Sequence, residues 1–300
     1  MTHGVRRSEG FIRRLGQPAL SYQAWHAEPR RSVIVRLHGI ESHAGWYAET
    51  SEDLARAGHT VYFVDRRGSG RSEGARGDID HWSTWLADLA TVISDVRWRE
   101  EVETIHLMAN CWGAKPALNF AARWPQRLAT VTVIAPALVL RTYYTKLEQA
   151  AIAFNYIFRP AHRRRHPVDD PGYFTRDRHR VARIAADPLS LRHCTDRFFG
   201  NTRAITNQLW RLLPRLTVPV LALFGGCDQV LDLPRTQELI RRVPPDLLTV
   251  RTYPGQWHML EFEPERPRVM AEIAGWLAAS DAQAAGAADA PVMRISDLLR

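Results

Sequence analysis

The chain has 300 residues, 45% of them apolar and 24% charged, the balance of an ordinary globular protein and enough length to bury a core without staples. Its three cysteines, Cys111, Cys194 and Cys227, are odd in number and lack zinc-type spacing, which argues against a disulfide framework and a structural metal site. A net charge of +8 invites a nucleic-acid reading, yet only Lys115 and Lys146 among the 40 basic side chains are lysines. That arginine excess reads as coding bias, and no nucleic-acid partner is expected.

The N-terminus is charged through Phe11 and carries no apolar h-region of a secretory signal. A hairpin is expected next, with strands at 11–15 and 20–25 turning around Gly16. Further strands are predicted at 32–37, 60–64, 104–108, 129–134, 218–224 and 247–253, with helices at 46–57, 82–97, 115–123, 234–243 and 266–278. This alternation implies an α/β fold with a mostly parallel central sheet flanked by helices. The longest apolar stretch, 128–140, is interrupted by threonines and too short to span a bilayer. No transmembrane segment and a cytoplasmic location are therefore expected.

The alternation breaks between about residues 136 and 207, where the chain reads as helical, rich in Arg, Tyr and Phe, and punctuated by prolines. The expected organisation is a core of 1–136 and 208–279, a helical lid at 137–207, and a flexible tail at 280–300 ending in an Ile-Ser-Asp-Leu-Leu run. Residues 141–200 carry twelve basic side chains against six acidic ones, densest at Arg163-Arg164-Arg165 and again at Arg176, Arg178 and Arg180. This is either a solvated face or a steering surface for an anionic partner, such as coenzyme A or an acidic carrier protein.

The chemistry concentrates at Ile105-His106-Leu107-Met108-Ala109-Asn110-Cys111-Trp112-Gly113-Ala114. An apolar strand runs into a small-x-nucleophile-x-small pattern and then a helix, the context of the nucleophile elbow. Small residues two before and two after the centre, Ala109 and Gly113, let the strand and helix backbones approach. Cys111 stands at the centre, where the start of a helix favours a thiolate. A nucleophile needs a base, and the base an orienting group. Asp228 follows the strand at 218–224, with Asp232 a weaker candidate, and His258 lies in the loop before the last helix. The order nucleophile, acid, histidine is that of this elbow class. The backbone N–H groups of Ile40 and Trp112 are the expected oxyanion donors, while His38 and His43 read as structural. The glycine-rich run from Asp65 to Gly74 lacks the Gly-Lys-Ser/Thr ending of a P-loop and the G-x-G-x-x-G spacing, so it reads as a sharp turn. No cofactor or metal is expected. Arg36, inside a central strand, must find a partner that the sequence does not name.

Over about residues 10–280 these motifs resemble the monoacylglycerol lipase and lysophospholipase branch (serine aminopeptidase S33-type) of the α/β-hydrolases. The likeness rests on His38-Gly39-Ile40-Glu41-Ser42-His43, the Asp65–Gly74 turn, Asp228, His258 and the lid segment Ile184-Ala185-Ala186-Asp187-Pro188-Leu189. It implies an α/β-hydrolase fold and acyl chemistry. The departure is at the elbow, where the family typically has Gly-His-Ser-Met-Gly-Gly. A cysteine there would hold the acyl group as a thioester, which retains more transfer potential than an oxygen ester. Three readings follow: a hydrolase of acyl esters or thioesters; an acyltransferase, or a thioesterase-like releasing enzyme or cyclase, passing an activated acyl group to an alcohol or amine; and a non-catalytic binding protein of hydrolase fold. Trp112 is expected to wall the acyl pocket.

Overall fold

The computed structural model describes residues 4–288. An eight-stranded sheet is built from β1 (Gly4–Ile12), β2 (Leu20–Glu28), β3 (Ser32–Leu37), β4 (His59–Val64), β5 (Ile105–Asn110), β6 (Leu128–Ile134), β9 (Val220–Gly225) and β10 (Leu248–Tyr253). Their order is β1-β2-β4-β3-β5-β6-β9-β10, with the six from β4 to β10 parallel and the β1–β2 hairpin antiparallel at one edge. β4, β5 and β9 are buried along their whole length, as strands covered on both faces must be, and their continuous Val/Leu/Phe runs supply that surface. Five helices pack on the sheet or its neighbours: α1 (Ala48–Arg56), α2 (Trp82–Glu100), α3 (Ala114–Arg123), α7 (Leu233–Ile240) and α8 (Arg266–Ala288). α1 lies against α8, and α2 against α3.

Between β6 and β9 the chain forms α4 (Lys146–Phe158), α5 (Arg178–Ala186) and α6 (Asp196–Leu212), together with a small antiparallel pair, β7 (Arg163–Arg165) and β8 (His193–Thr195). This segment is therefore not wholly helical as the sequence suggested. α6 runs on past residue 207 and packs Ile205 and Leu209 into the core beside α3.

Two further expectations shift. The first strand spans Gly4–Ile12, not 11–15, and Leu15 is fully exposed in the turn around Gly16. β1 is an edge strand paired on one side only, so most of its side chains face solvent and no apolar run announces it. The expected tail does not begin at 280: α8 continues to Ala288 through an alanine-rich stretch of high helix propensity. Asp281 on it bonds the buried His106 at 2.8 Å. The Ile-Ser-Asp-Leu-Leu run lies outside the described residues. Among the described residues no helix is long and apolar enough to cross a membrane.

Candidate active site

The carboxyl ends of β3, β5, β9 and β10 open on one edge of the sheet, where parallel α/β sheets place their sites. β5 delivers Cys111 into a one-turn helix that leads into α3. Cys111 adopts φ = 51°, left-handed for a non-glycine residue, a strained conformation that costs about 1–2 kcal/mol and that packing must hold. Ala109 is fully buried between Leu37 and Val133 of the neighbouring strands. A Cβ on Gly113 would lie 2.7 Å from the His38 carbonyl oxygen, and one on Gly39 would lie 3.1 Å from the Cβ of Cys111. The absence of these carbons lets the elbow and the loop after β3 cross.

The loop after β9 carries Asp228, and the loop after β10 carries His258. A Cβ on Gly225 would strike the Trp257 carbonyl oxygen at 2.3 Å, so glycine allows the two loops to touch. Asp228 Oδ2 lies 2.7 Å from His258 Nδ1. Asp228 Oδ1 accepts from the N–H groups of Val230 at 2.7 Å and Leu231 at 3.0 Å, which leaves the carboxylate one orientation. Asp232 is elsewhere, capping α7 through the Arg235 N–H. His258 Nε2 is buried and makes no hydrogen bond, and its ring lines one cavity with Cys111. Burial works against an imidazolium here, but the Asp228 carboxylate and the sulfur of Cys111 outweigh it and raise His258 to about 10. The other cysteines differ in setting. Burial pushes the Cys194 thiol up to about 12, and Cys227 is exposed.

The two expected oxyanion donors share one device. A trans peptide points its C=O and N–H in opposite directions, so fixing one fixes the other. The carbonyl of Gly39, in the peptide that carries the Ile40 N–H, accepts from His38 Nδ1 at 2.7 Å and Arg66 Nη1 at 3.1 Å. The carbonyl of Cys111, in the peptide that carries the Trp112 N–H, accepts from Ala137 N at 3.0 Å. Arg66 also donates to the Ile40 carbonyl at 3.0 Å and lies 4.4 Å over the Trp112 ring. His38 is held well below its ordinary pKa by burial and by Arg66; its neutral ring donates to Gly39 O and accepts from the Arg66 N–H at 2.8 Å. The glycine-rich turn is thus a brace for the loop after β3, and Asp65 within it accepts from Ala44 N at 2.7 Å.

Arg36 finds its partner in Glu261, three residues past His258, at 2.5 Å. Asn110 donates to the same carboxylate and accepts from Arg36 at 3.3 Å, while Arg36 also donates to Thr50 and Ser51. This buried network ties together β3, the turn at Cys111 and the loop that carries His258. Motif reasoning missed Arg66, Ala137 and Glu261 because each acts across the fold. The one available signal was a charged residue at position 36 inside an apolar strand.

The segment between β6 and β9 is tied down near the site. His43 Nε2 and Trp46 Nε1 contact Asp187 Oδ2 at 2.9 and 2.6 Å, and Met259 N donates to Phe174 O at 2.9 Å. Most of the arginines offered by the sequence to an anionic partner are engaged internally. Arg164 pairs with Asp196, Arg165 with Asp169, Arg180 with Glu49, Arg176 bonds the Gly255 carbonyl, and Arg163 bonds the carbonyls of Arg76 and His193. Between this segment and the sheet lies a cavity of about 660 Å³, walled by Cys111, Trp112, Ile40, Leu138, Ile152, Tyr156 and Phe199 among others, the size of a site for a small organic ligand. Among the described residues there is no grouping of three or more His, Cys, Asp or Glu side chains fit to hold a metal.

Comparison with known proteins agrees with this architecture. The chain is 26% identical to a monoacylglycerol lipase of Mycolicibacterium smegmatis, over 90% of this chain and 97% of that protein. It is 26% identical to the human monoglyceride lipase, over 87% and 86% of the two chains. The crystal structure of a Paleococcus ferrophilus monoacylglycerol lipase superposes with a TM-score of 0.77 at 21% identity, covering 92% of this chain and 99% of that one. The family model described as serine aminopeptidase, S33, matches residues 28–265, and the chain belongs to that α/β-hydrolase family.

Proposed function

We propose that the protein cleaves acyl esters or thioesters through an acyl-Cys111 intermediate, with His258 as base and acid and Asp228 as the group that orients it. The observation that carries this reading is the His258 ring: Nδ1 is held by a carboxylate, while Nε2 is buried, unbonded and in one cavity with a cysteine in a strained turn. The similarity to lipases supports the ester-cleaving part of the reading.

In this mechanism the Cys111 thiolate attacks the acyl carbonyl and forms a C–S bond, with the proton on His258 Nε2. The carbonyl oxygen becomes an oxyanion facing the N–H groups of Ile40 and Trp112. As the bond to the leaving oxygen or sulfur breaks, His258 gives that atom its proton. Water then attacks the thioester and loses a proton to His258, the C–S bond breaks, and a carboxylic acid leaves. Asp228 keeps the ring in the tautomer and orientation both steps need.

Transfer to an alcohol or amine in place of water is the second reading, favoured by the transfer potential of a thioester intermediate. A coenzyme A or carrier-bound donor fits that chemistry, although most of the arginines between 163 and 180 already have partners within the chain.

The test is intact-mass measurement in a Cys227→Ser background after mixing with 4-nitrophenyl esters and acyl thioesters. An acyl mass gain that Cys111→Ala abolishes, with acid release, supports hydrolysis. Product that forms only with an added alcohol or amine supports transfer. The absence of both adduct and turnover on every donor refutes the reading and leaves a binding role.

A further inference from the structure

Lys115 is one of only two lysines among 40 basic residues, and it sits in the cavity wall with Cys111. Its side chain is about 5% exposed, and it donates to the Ala137 carbonyl. An ammonium has three protons to give, so one acceptor leaves it under-bonded. It also stands in the first turn of α3, where the helix dipole opposes a cation. Among the described residues it forms no ion pair with a carboxylate, and the side chains lining the cavity include the cation Arg203 but no Asp or Glu. A purely hydrocarbon acyl chain would leave this cation buried without a counter-charge, an arrangement proteins avoid. Arginine, the chain's usual cation, stays charged under all ordinary conditions, whereas lysine can release its proton while the pocket is empty. Burial accordingly lowers Lys115 to about 8, with Cys111 acting in the opposite direction.

We propose that Lys115 receives a carboxylate carried on the acyl chain, so that the preferred donors are half-esters or half-thioesters of dicarboxylic acids. This rests on the proposed acyl-Cys111 reaction and deepens it. Lys115 and Cys111 line the same cavity, so an acyl group held on Cys111 extends into the space that Lys115 borders. The surrounding Leu138, Ile152 and Phe199 cover the methylenes between the two ends.

The experiment compares mono-4-nitrophenyl adipate with 4-nitrophenyl hexanoate, equal in carbon number and different in terminal charge, on wild type and Lys115→Met. At pH 7 the kcat/KM ratio of anionic to neutral ester is expected to exceed about 10 in wild type and to fall at least tenfold in the variant. A wild-type ratio at or below 1, or a ratio unchanged in Lys115→Met, overturns the proposal. A pH series on wild type decides the matter if the variant does not fold: the ratio should decline as pH rises through about 8. The titratable or charged groups sharing that cavity are Cys111, Arg203, Tyr143, Tyr144 and Tyr156, and a ratio flat from pH 6.5 to 9.5 refutes the role. If neither ester is turned over, the reaction assignment fails, and calorimetry with adipate as the probe judges Lys115 separately. Adipate binding that Lys115→Met loses supports the anion site; no binding to wild type refutes it.

Discussion

Arg36→Met removes a guanidinium from a position where Arg36 is 0% and its partner Glu261 1% exposed. Methionine fills much of the same stem volume, so the perturbation is chiefly electrostatic. The Glu261 carboxylate is left with Asn110 as its donor, and Thr50 and Ser51 lose their bonds to Arg36. Stripping one partner from a buried pair costs about 3–5 kcal/mol. The face contacts of the guanidinium with Tyr47 and Phe63, at 5.4 and 4.7 Å, are lost as well. At about 2 °C per kcal/mol for a chain this large, the melting midpoint should drop by about 6–10 °C. Glu261→Gln should cost a similar amount, because it strands the arginine. The double variant Arg36→Met/Glu261→Gln removes both charges and keeps an amide oxygen for Asn110, so it should recover about 3 kcal/mol relative to the sum of the singles. Urea or thermal unfolding of all four proteins measures this. A single variant within 1 kcal/mol of wild type, or a double equal to the sum, would refute the claim that these groups form one coupled unit.

Asp228→Asn should lower kcat by about 10³–10⁴ on a 4-nitrophenyl ester while changing KM little, since it releases the His258 ring without altering the cavity; stopped-time product assays read this, and a loss below tenfold speaks against the role. His258 is raised from its ordinary value to about 10, so its charge stabilises the fold fully below pH 6.5 and that contribution fades as pH rises through about 10. The single-turnover acylation rate should fall over the same alkaline range, and an acylation limb near pH 7 instead would contradict the ion-pair description. Gly39→Ala puts a carbon 3.5 Å from Cys111 Sγ and 3.2 Å from Ser42 Oγ. It should reduce acylation by about 10²-fold and also lower the melting point, because the loop and the elbow must move apart, as compared by burst kinetics and calorimetry. Asp187→Asn weakens the contacts of His43 and Trp46 with the lid, and should speed proteolysis within the lid ahead of the core, as followed by mass spectrometry of the fragments.

Much of this architecture was legible from local pattern. The strand at Ser32–Leu37 and the helix starting at Trp82 fall where apolar periodicity put them, because buried parallel strands and amphipathic helices carry their burial in the sequence. The residues gathered at the sheet edge were legible for a related reason: Cys111, Asp228 and His258 each follow a strand, and parallel strands end on one side. What stayed hidden depends on long-range contact. β1 has a solvated face and leaves no apolar trace. Glu261, 225 positions along the chain, becomes the partner of Arg36 only once the fold brings them together. The turn at Asp65–Gly74 shows its glycines in the sequence, but not that Arg66 reaches back to the Gly39 and Ile40 carbonyls. The arginine-rich segment allowed two readings from the sequence, and the long-range partners of its charges were not among the visible signals: Arg164 reaches Asp196 and Arg180 reaches Glu49.

In the proposed mechanism the anchoring of the Gly39 and Cys111 carbonyls has a further consequence. Charge stabilisation is then carried by main-chain atoms whose direction is set during folding; the side chain at 40 takes no part in it, and the one at 112 enters only as the surface on which Arg66 lies. The isoleucine is thus free to act purely as shape. Selection, natural or in the laboratory, could therefore recontour this wall of the cavity by exchanging Ile40 without retuning the catalytic field.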